Sequence, residues 1–142
     1  HYCREFEADQ PLEGDALVAS GLRDRHDTIR AIFTRAKLSG MLRGLQDAAA
    51  KDPWFAPAAR NLAQGSPTGA AVTLEYLRRC RLLGLAEVLT LDLVVAKQCQ
   101  RHHDFPEGVR ALLIDKDKAP KWVPSTAGEI DRELVEEFFV AP

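Results

Sequence analysis

Between Gly84 and Gln100 lies a segment, Leu85 to Cys99, whose apolar residues (Val88, Leu89, Leu91, Leu93, Val94 and Val95 among them) fall on nearly every side of a helical wheel. A helix that is apolar all round is packed over most of its surface. The segment therefore predicts a central helix with the others arranged about it. From Asp27 onward apolar residues recur at helical spacing, and no stretch sustains the alternation of a half-buried strand. The expectation is an all-α fold of about six helices. Residues 1–26, with Pro11, Gly14 and Gly21 among scattered carboxylates, read as a linker with at most a short helix at Asp15 to Ala19. Residues 27–142 read as the helical domain.

Punctuation supports that division. Ile29, Ile32 and Phe33 form an amphipathic turn, and Ser39 is placed to cap a helix with Leu42, Leu45 and Ala49 on one face. Asp52-Pro53 and Ser66-Pro67 each pair a capping side chain with a proline preset for the first helical turn. After Ser66, Val72, Tyr76, Cys80 and Leu83 share a stripe. Asp104 and Glu107 are spaced as a capping pair, followed by a stripe of Phe105, Val109, Leu112 and Leu113. A polar, proline-marked turn runs from Lys116 to Pro124, and a last helix starts near Asp131 with Phe138 and Phe139 on its apolar side.

Size and charge exclude several classes. A chain of 142 residues suits one domain, and its net charge of −2 offers no field for a nucleic-acid backbone. Its longest apolar run falls short of a membrane span. Three cysteines, widely spaced and odd in number, fit a reducing compartment better than a disulfide framework. The start, His1 to Gln10, lacks a signal-peptide layout, which points to the cytoplasm, or to mitochondria for a eukaryotic parent whose leader has been removed. Because the first residue is His1, the expectation is a piece of something longer.

Candidate chemistry is sparse. Cys99, His102 and His103 stand at i, i+3 and i+4, a spacing that puts three metal-ligand types on one face. Without a second Cys/His pair, the plainer reading is a buried thiol and two histidines complementing a helix C-terminus. As a nucleophile pair, Cys99 and a histidine would need an exposed, electropositive setting, whereas Cys99 lies on the apolar run. Lys116, Lys118 and Lys121 cluster on one turn, interrupted by Asp115 and Asp117. Lysines on a turn can meet a phosphate as point charges, yet spacing alone favours a solvated loop, with Trp122 as its anchor. No catalytic residue, metal site or cofactor motif emerges.

Three segments carry a family resemblance. SPTGAAVTLEYL (Ser66 to Leu77) resembles the "SPTS" helix of 3-hydroxyisobutyryl-CoA hydrolases, members of the enoyl-CoA hydratase/isomerase (crotonase) superfamily. The likeness continues in AEVLTLDLVVAKQC and is strongest in HDFPEGVRALLIDKDKAPKWVP, His103 to Pro124. His1-Tyr2 is similar to the "THY" that ends the family's catalytic core. His102 stands where that family usually has glycine, and the segment Pro53 to Arg60 matches weakly. The resemblance implies a parent that hydrolyses a β-hydroxyacyl-CoA thioester in valine breakdown, with its catalytic groups on a spiral β/α core upstream. It implies that this chain is the C-terminal helical domain, partnered by that core, by an acyl-CoA substrate and by further copies of the parent. Lys116, with Lys118 and Lys121, matches the place where relatives bring basic residues towards the coenzyme phosphates. The alternatives are the C-terminal domain of an enoyl-CoA hydratase/isomerase, or a free-standing helical interaction module.

Overall fold

A computed structural model describes residues 20–35 and 37–141, which are helical and contain no strand. Two compact units divide between Thr34 and Arg35. In the first, α1 (Gly21–Asp24) is a single turn standing where linker was expected, and α2 is His26–Phe33. The amphipathic turn of α2 is narrower than its spacing implies, with Ile32 buried and Phe33 exposed. The helix expected at Asp15 to Ala19 lies outside the described residues.

The second unit runs through α3 (Leu38–Lys51), a 3₁₀ turn (Pro53–Phe55), α4 (Ala56–Gln64), α5 (Pro67–Cys80), α6 (Leu85–Arg101), α7 (Asp104–Val109), a π-helical segment (Arg110–Ile114) and α8 (Arg132–Glu137). Eight α-helices are thus described where about six were expected. The excess comes from one-turn elements such as α1, too short to show periodicity.

Local chemistry accounts for most boundaries. Asp52 accepts the Trp54 N–H at 2.9 Å, and Pro53 follows it into the 3₁₀ turn. Ser66 Oγ accepts the Gly69 N–H at 2.8 Å and opens α5. Asp131 does the same for Leu134 at 2.8 Å and opens α8. Ser39 is not a cap. α3 begins one residue before it, with Lys37 at the N-cap and no side-chain bond. Its buried face is Met41, Gly44, Leu45 and Ala48, and Arg35 covers Gly44 while donating to Gly40 O at 3.2 Å.

α3 packs on the 3₁₀ turn and α4, α5 on α8, and α6 on α7. The buried apolar residues of this unit are Met41, Leu45, Ala48, Phe55, Val72, Ala111 and Phe138. None comes from α6. That corrects the expected central helix: Leu85, Leu89 and Leu93, at i, i+4 and i+8, are 76, 59 and 56% exposed. The physical reason is that an apolar sequence records how much surface must be covered, not what covers it. Among the described residues, nothing covers this face.

Candidate functional site

The site is assembled around the segment His103 to Pro124, and its frame is polar. Asp104 lies in the first turn of α7, is buried, and caps nothing. One carboxylate oxygen accepts the Ser66 hydroxyl and the other accepts the Val123 N–H at 2.9 Å. Glu107 likewise does not reach back to its own helix start. It accepts the Lys121 N–H at 2.7 Å and pairs with Arg110. His103 Nε2 stands 2.9 Å from the Lys121 carbonyl. Trp122 donates from its indole nitrogen to Gln64 O at 2.9 Å, and its ring lies close enough to Gly108 that a Cβ there would stand 3.3 Å from Cη2. The two acids read as a capping pair are thus fasteners for the returning chain.

The turn itself is organised by Arg110. Nε and Nη2 each donate to Glu107 at 2.8 Å, and Nη1 donates to Asp115 at 2.5 Å and Asp117 at 2.7 Å. Asp117 also accepts the Ala119 N–H at 2.9 Å. These bonds set the local ionisation. The Arg110 guanidinium and then the Lys121 N–H hold Glu107 down at about 2. The Ala119 N–H, followed by Arg110, lowers Asp117. Lys116 and Lys118 take left-handed backbone, with φ of 57° and 55°, and Lys118 N donates to Ala111 O at 3.0 Å. Left-handed non-glycine residues persist where their surroundings over-determine them. Lys116, Lys118 and Lys121 are all exposed. Among the described residues, no carboxylate pairs with their ammonium groups.

Beside the turn is an apolar cavity of about 620 Å³, lined by Phe105, Leu112, Trp122 and Phe138, with Lys118 and Thr68 on its wall. Of the stripe Phe105, Val109, Leu112 and Leu113, only Val109 is half-buried and the others are exposed; from Arg110 the helix widens to π geometry, and Ala111 is the residue buried there. Thr68 is buried, and among the described residues its hydroxyl has no hydrogen-bond partner. A second hollow, of about 590 Å³, is lined by Glu75, Arg78, Asp131, Arg132 and Glu136. Several of its charges answer one another: Arg78 lies 3.7 Å from Glu75, and Arg132 lies 3.5 Å from Glu136.

Cys99, His102 and His103 do not converge on one point. His102 stacks on Phe138 with ring centres 4.0 Å apart, His103 faces the Lys121 carbonyl, and Cys99 lines the apolar cavity. Burial pushes the Cys99 thiol up, away from thiolate character. Glu136 bonds Arg79 at 2.6 Å, and Arg79 covers the Phe139 ring. Arg110 was missed by sequence reasoning. The available signal was Glu107 three residues before it and the Asp-Lys-Asp alternation beyond.

The helical fold and this block define a class. The sequence profile of the enoyl-CoA hydratase/isomerase family matches residues 2–139, and the chain belongs to that family. It is 33% identical over 117 residues to a protein from Gallus gallus named 3-hydroxyisobutyryl-CoA hydrolase, mitochondrial, covering 82% of this chain and 30% of that protein. A carnitinyl-CoA dehydratase from Mycobacterium thermoresistibile superposes with a TM-score of 0.75 at 31% identity, over 87% of this chain and 35% of that one. An enoyl-CoA hydratase from Rhodobacter sphaeroides 2.4.1 gives 0.75 and 31%, over 86% and 36%. The chain therefore spans about a third of the length of the relatives it matches. Among the described residues, no helix is long and apolar enough to cross a membrane.

Proposed function

We propose that this chain is the C-terminal helical domain, residues 27–142, of an acyl-CoA thioester hydrolase resembling 3-hydroxyisobutyryl-CoA hydrolase, and that its Lys116 turn meets the phosphates of coenzyme A. The observation that carries this reading is the turn: three exposed lysines without a carboxylate partner among the described residues, two of them in left-handed backbone. Exposed ammonium groups are point-charge partners for phosphate, and the relatives are named for acyl-CoA substrates. The exposed leucines of α6 support the domain reading, since apolar surface of that kind is ordinarily covered by a partner. Here the partner is the crotonase core of the same polypeptide, with further copies of the parent as a second candidate.

In this reading the catalytic groups sit on that core. Its donors hold the thioester oxygen as negative charge develops, and its carboxylates handle water and proton. The parent works in valine breakdown, in the cytoplasm or, in a eukaryote, in the mitochondrion. The 142-residue chain alone is expected to release no coenzyme A from 3-hydroxyisobutyryl-CoA, whereas the full-length polypeptide releases it. Turnover by the chain alone overturns the proposal.

A second reading has its own support. Two solved structures named for a dehydratase and a hydratase match most of the chain. There the parent adds water across a 2-enoyl-CoA, and the same full-length protein assayed on that substrate class separates the two.

A further inference from the structure

We infer that Arg110 is a positioning residue: its guanidinium takes up Glu107 and the two carboxylates interleaved with the lysines, Asp115 and Asp117, and so keeps the ammonium groups of Lys116, Lys118 and Lys121 open to the phosphates of an acyl-CoA. The inference rests on the proposed coenzyme contact and adds the residue that makes it possible.

The sequence poses a problem that the geometry solves. In Asp115-Lys116-Asp117-Lys118 every lysine has a carboxylate beside it, and an unorganised turn of this kind neutralises itself. Here Asp115, Asp117 and Glu107 all face Arg110, at 2.5, 2.7 and 2.8 Å. Nη2 also reaches the Ala119 carbonyl at 3.4 Å. Such a set needs the five fixed donors of a guanidinium, and an ammonium cannot span it. Charge follows the same logic. Arg110 and the three lysines are opposed by Glu107, Asp115 and Asp117, leaving one positive charge in excess. Remove Arg110 and the cluster becomes neutral, with three carboxylates released beside the lysines. Backbone placement is coupled to this clamp, because Asp117, held by Arg110, also fixes the Ala119 N–H between Lys118 and Lys121.

The test uses the full-length polypeptide and two substrates: an acyl-CoA and the matching acyl-pantetheine, which lacks the nucleotide phosphates. Arg110→Met is expected to raise KM for the acyl-CoA about tenfold, with kcat and the pantetheine KM nearly unchanged, as loss of a local charge excess predicts. Adding D115N and D117N removes the two aspartate charges, leaves Glu107 on the Lys121 N–H, and keeps the side-chain oxygen that accepts from Ala119. The triple variant is expected to regain an acyl-CoA KM within about threefold of the starting value. Should Arg110→Met not fold, Arg110→Lys carries the test with a smaller rise and the same rescue. An unmoved acyl-CoA KM overturns the inference. So does a defect that D115N and D117N leave in place, or one shared equally by the pantetheine substrate, for those mark a purely structural staple. K116A/K118A/K121A separates the two levels. If it leaves the acyl-CoA KM unchanged, the coenzyme contact itself is wrong. If it raises KM while Arg110→Met does not, only the role of Arg110 is wrong.

Discussion

Ser66 and Asp104, 38 residues apart in sequence, are joined by a hydrogen bond from hydroxyl to carboxylate. The same hydroxyl accepts the Gly69 N–H that starts α5, and the other Asp104 oxygen accepts the Val123 N–H. One buried carboxylate thus ties a helix start to the end of the lysine turn. Asp104→Ala leaves a hydroxyl and an N–H without their acceptor, and it is expected to cost about 2–3 kcal/mol, as for lost bonds to a charged group. Asp104→Asn, which can still serve both neighbours, recovers much of that loss. Denaturant unfolding of the three chains measures the order.

Acid should loosen the turn before it unfolds the helices. Glu107 is held at about 2, below its ordinary 4.5, chiefly by Arg110 and then by the Lys121 N–H. A carboxyl depressed in the folded state contributes stability that is complete above the unfolded value and is lost as pH falls through the folded one. The expected window is therefore pH 4.5 down to about 2. Glu107→Gln flattens the dependence there, and a melting-temperature series across that range shows whether it does.

Trp122 anchors the turn by one hydrogen bond and one close contact. Trp122→Phe removes the donor to Gln64 O and is expected to cost about 1 kcal/mol. Gly108→Ala keeps the bond but sets a methyl 3.3 Å from the ring, so the indole shifts by a few tenths of an ångström. Tryptophan fluorescence then reports a changed environment with little change in helix content by circular dichroism.

The leucine row of α6 is expected to drive self-association of the chain when nothing else covers it. Leu85→Gln, Leu89→Gln and Leu93→Gln together should lower the sedimenting mass at high concentration without destabilising the fold, because none of the three is buried. In the full-length polypeptide the same changes should reduce stability by several kcal/mol, as expected for losing that much buried apolar area. Equal stability there removes the case for a covering core.

Helix positions were largely legible because their signals are local. Asp52-Pro53, Ser66-Pro67 and Asp131 each announce a boundary through bonds within three residues. What failed was what depends on distant partners. Asp104 and Glu107 have the spacing of a capping pair, and only the return of the chain at 121–123 shows that they fasten it instead. The role of α6 was misread for the same reason, since the wheel gives apolar content but not neighbours. The lysine cluster was visible, and its availability was not, because that depends on where one arginine points. Glu107 and the Asp-Lys-Asp alternation hint at partners for Arg110, but only the folded turn shows one guanidinium shared among residues 107, 115 and 117.

Lys116 and Lys118 hold a backbone shape that glycine adopts freely and lysine only at about 1–2 kcal/mol each. Replacing either with glycine should make the protein harder to melt and, in the same stroke, take away a cation. Variants selected only for heat resistance would drift toward glycine at both places, so a drop in coenzyme affinity among such survivors would be the footprint of what this bend is for.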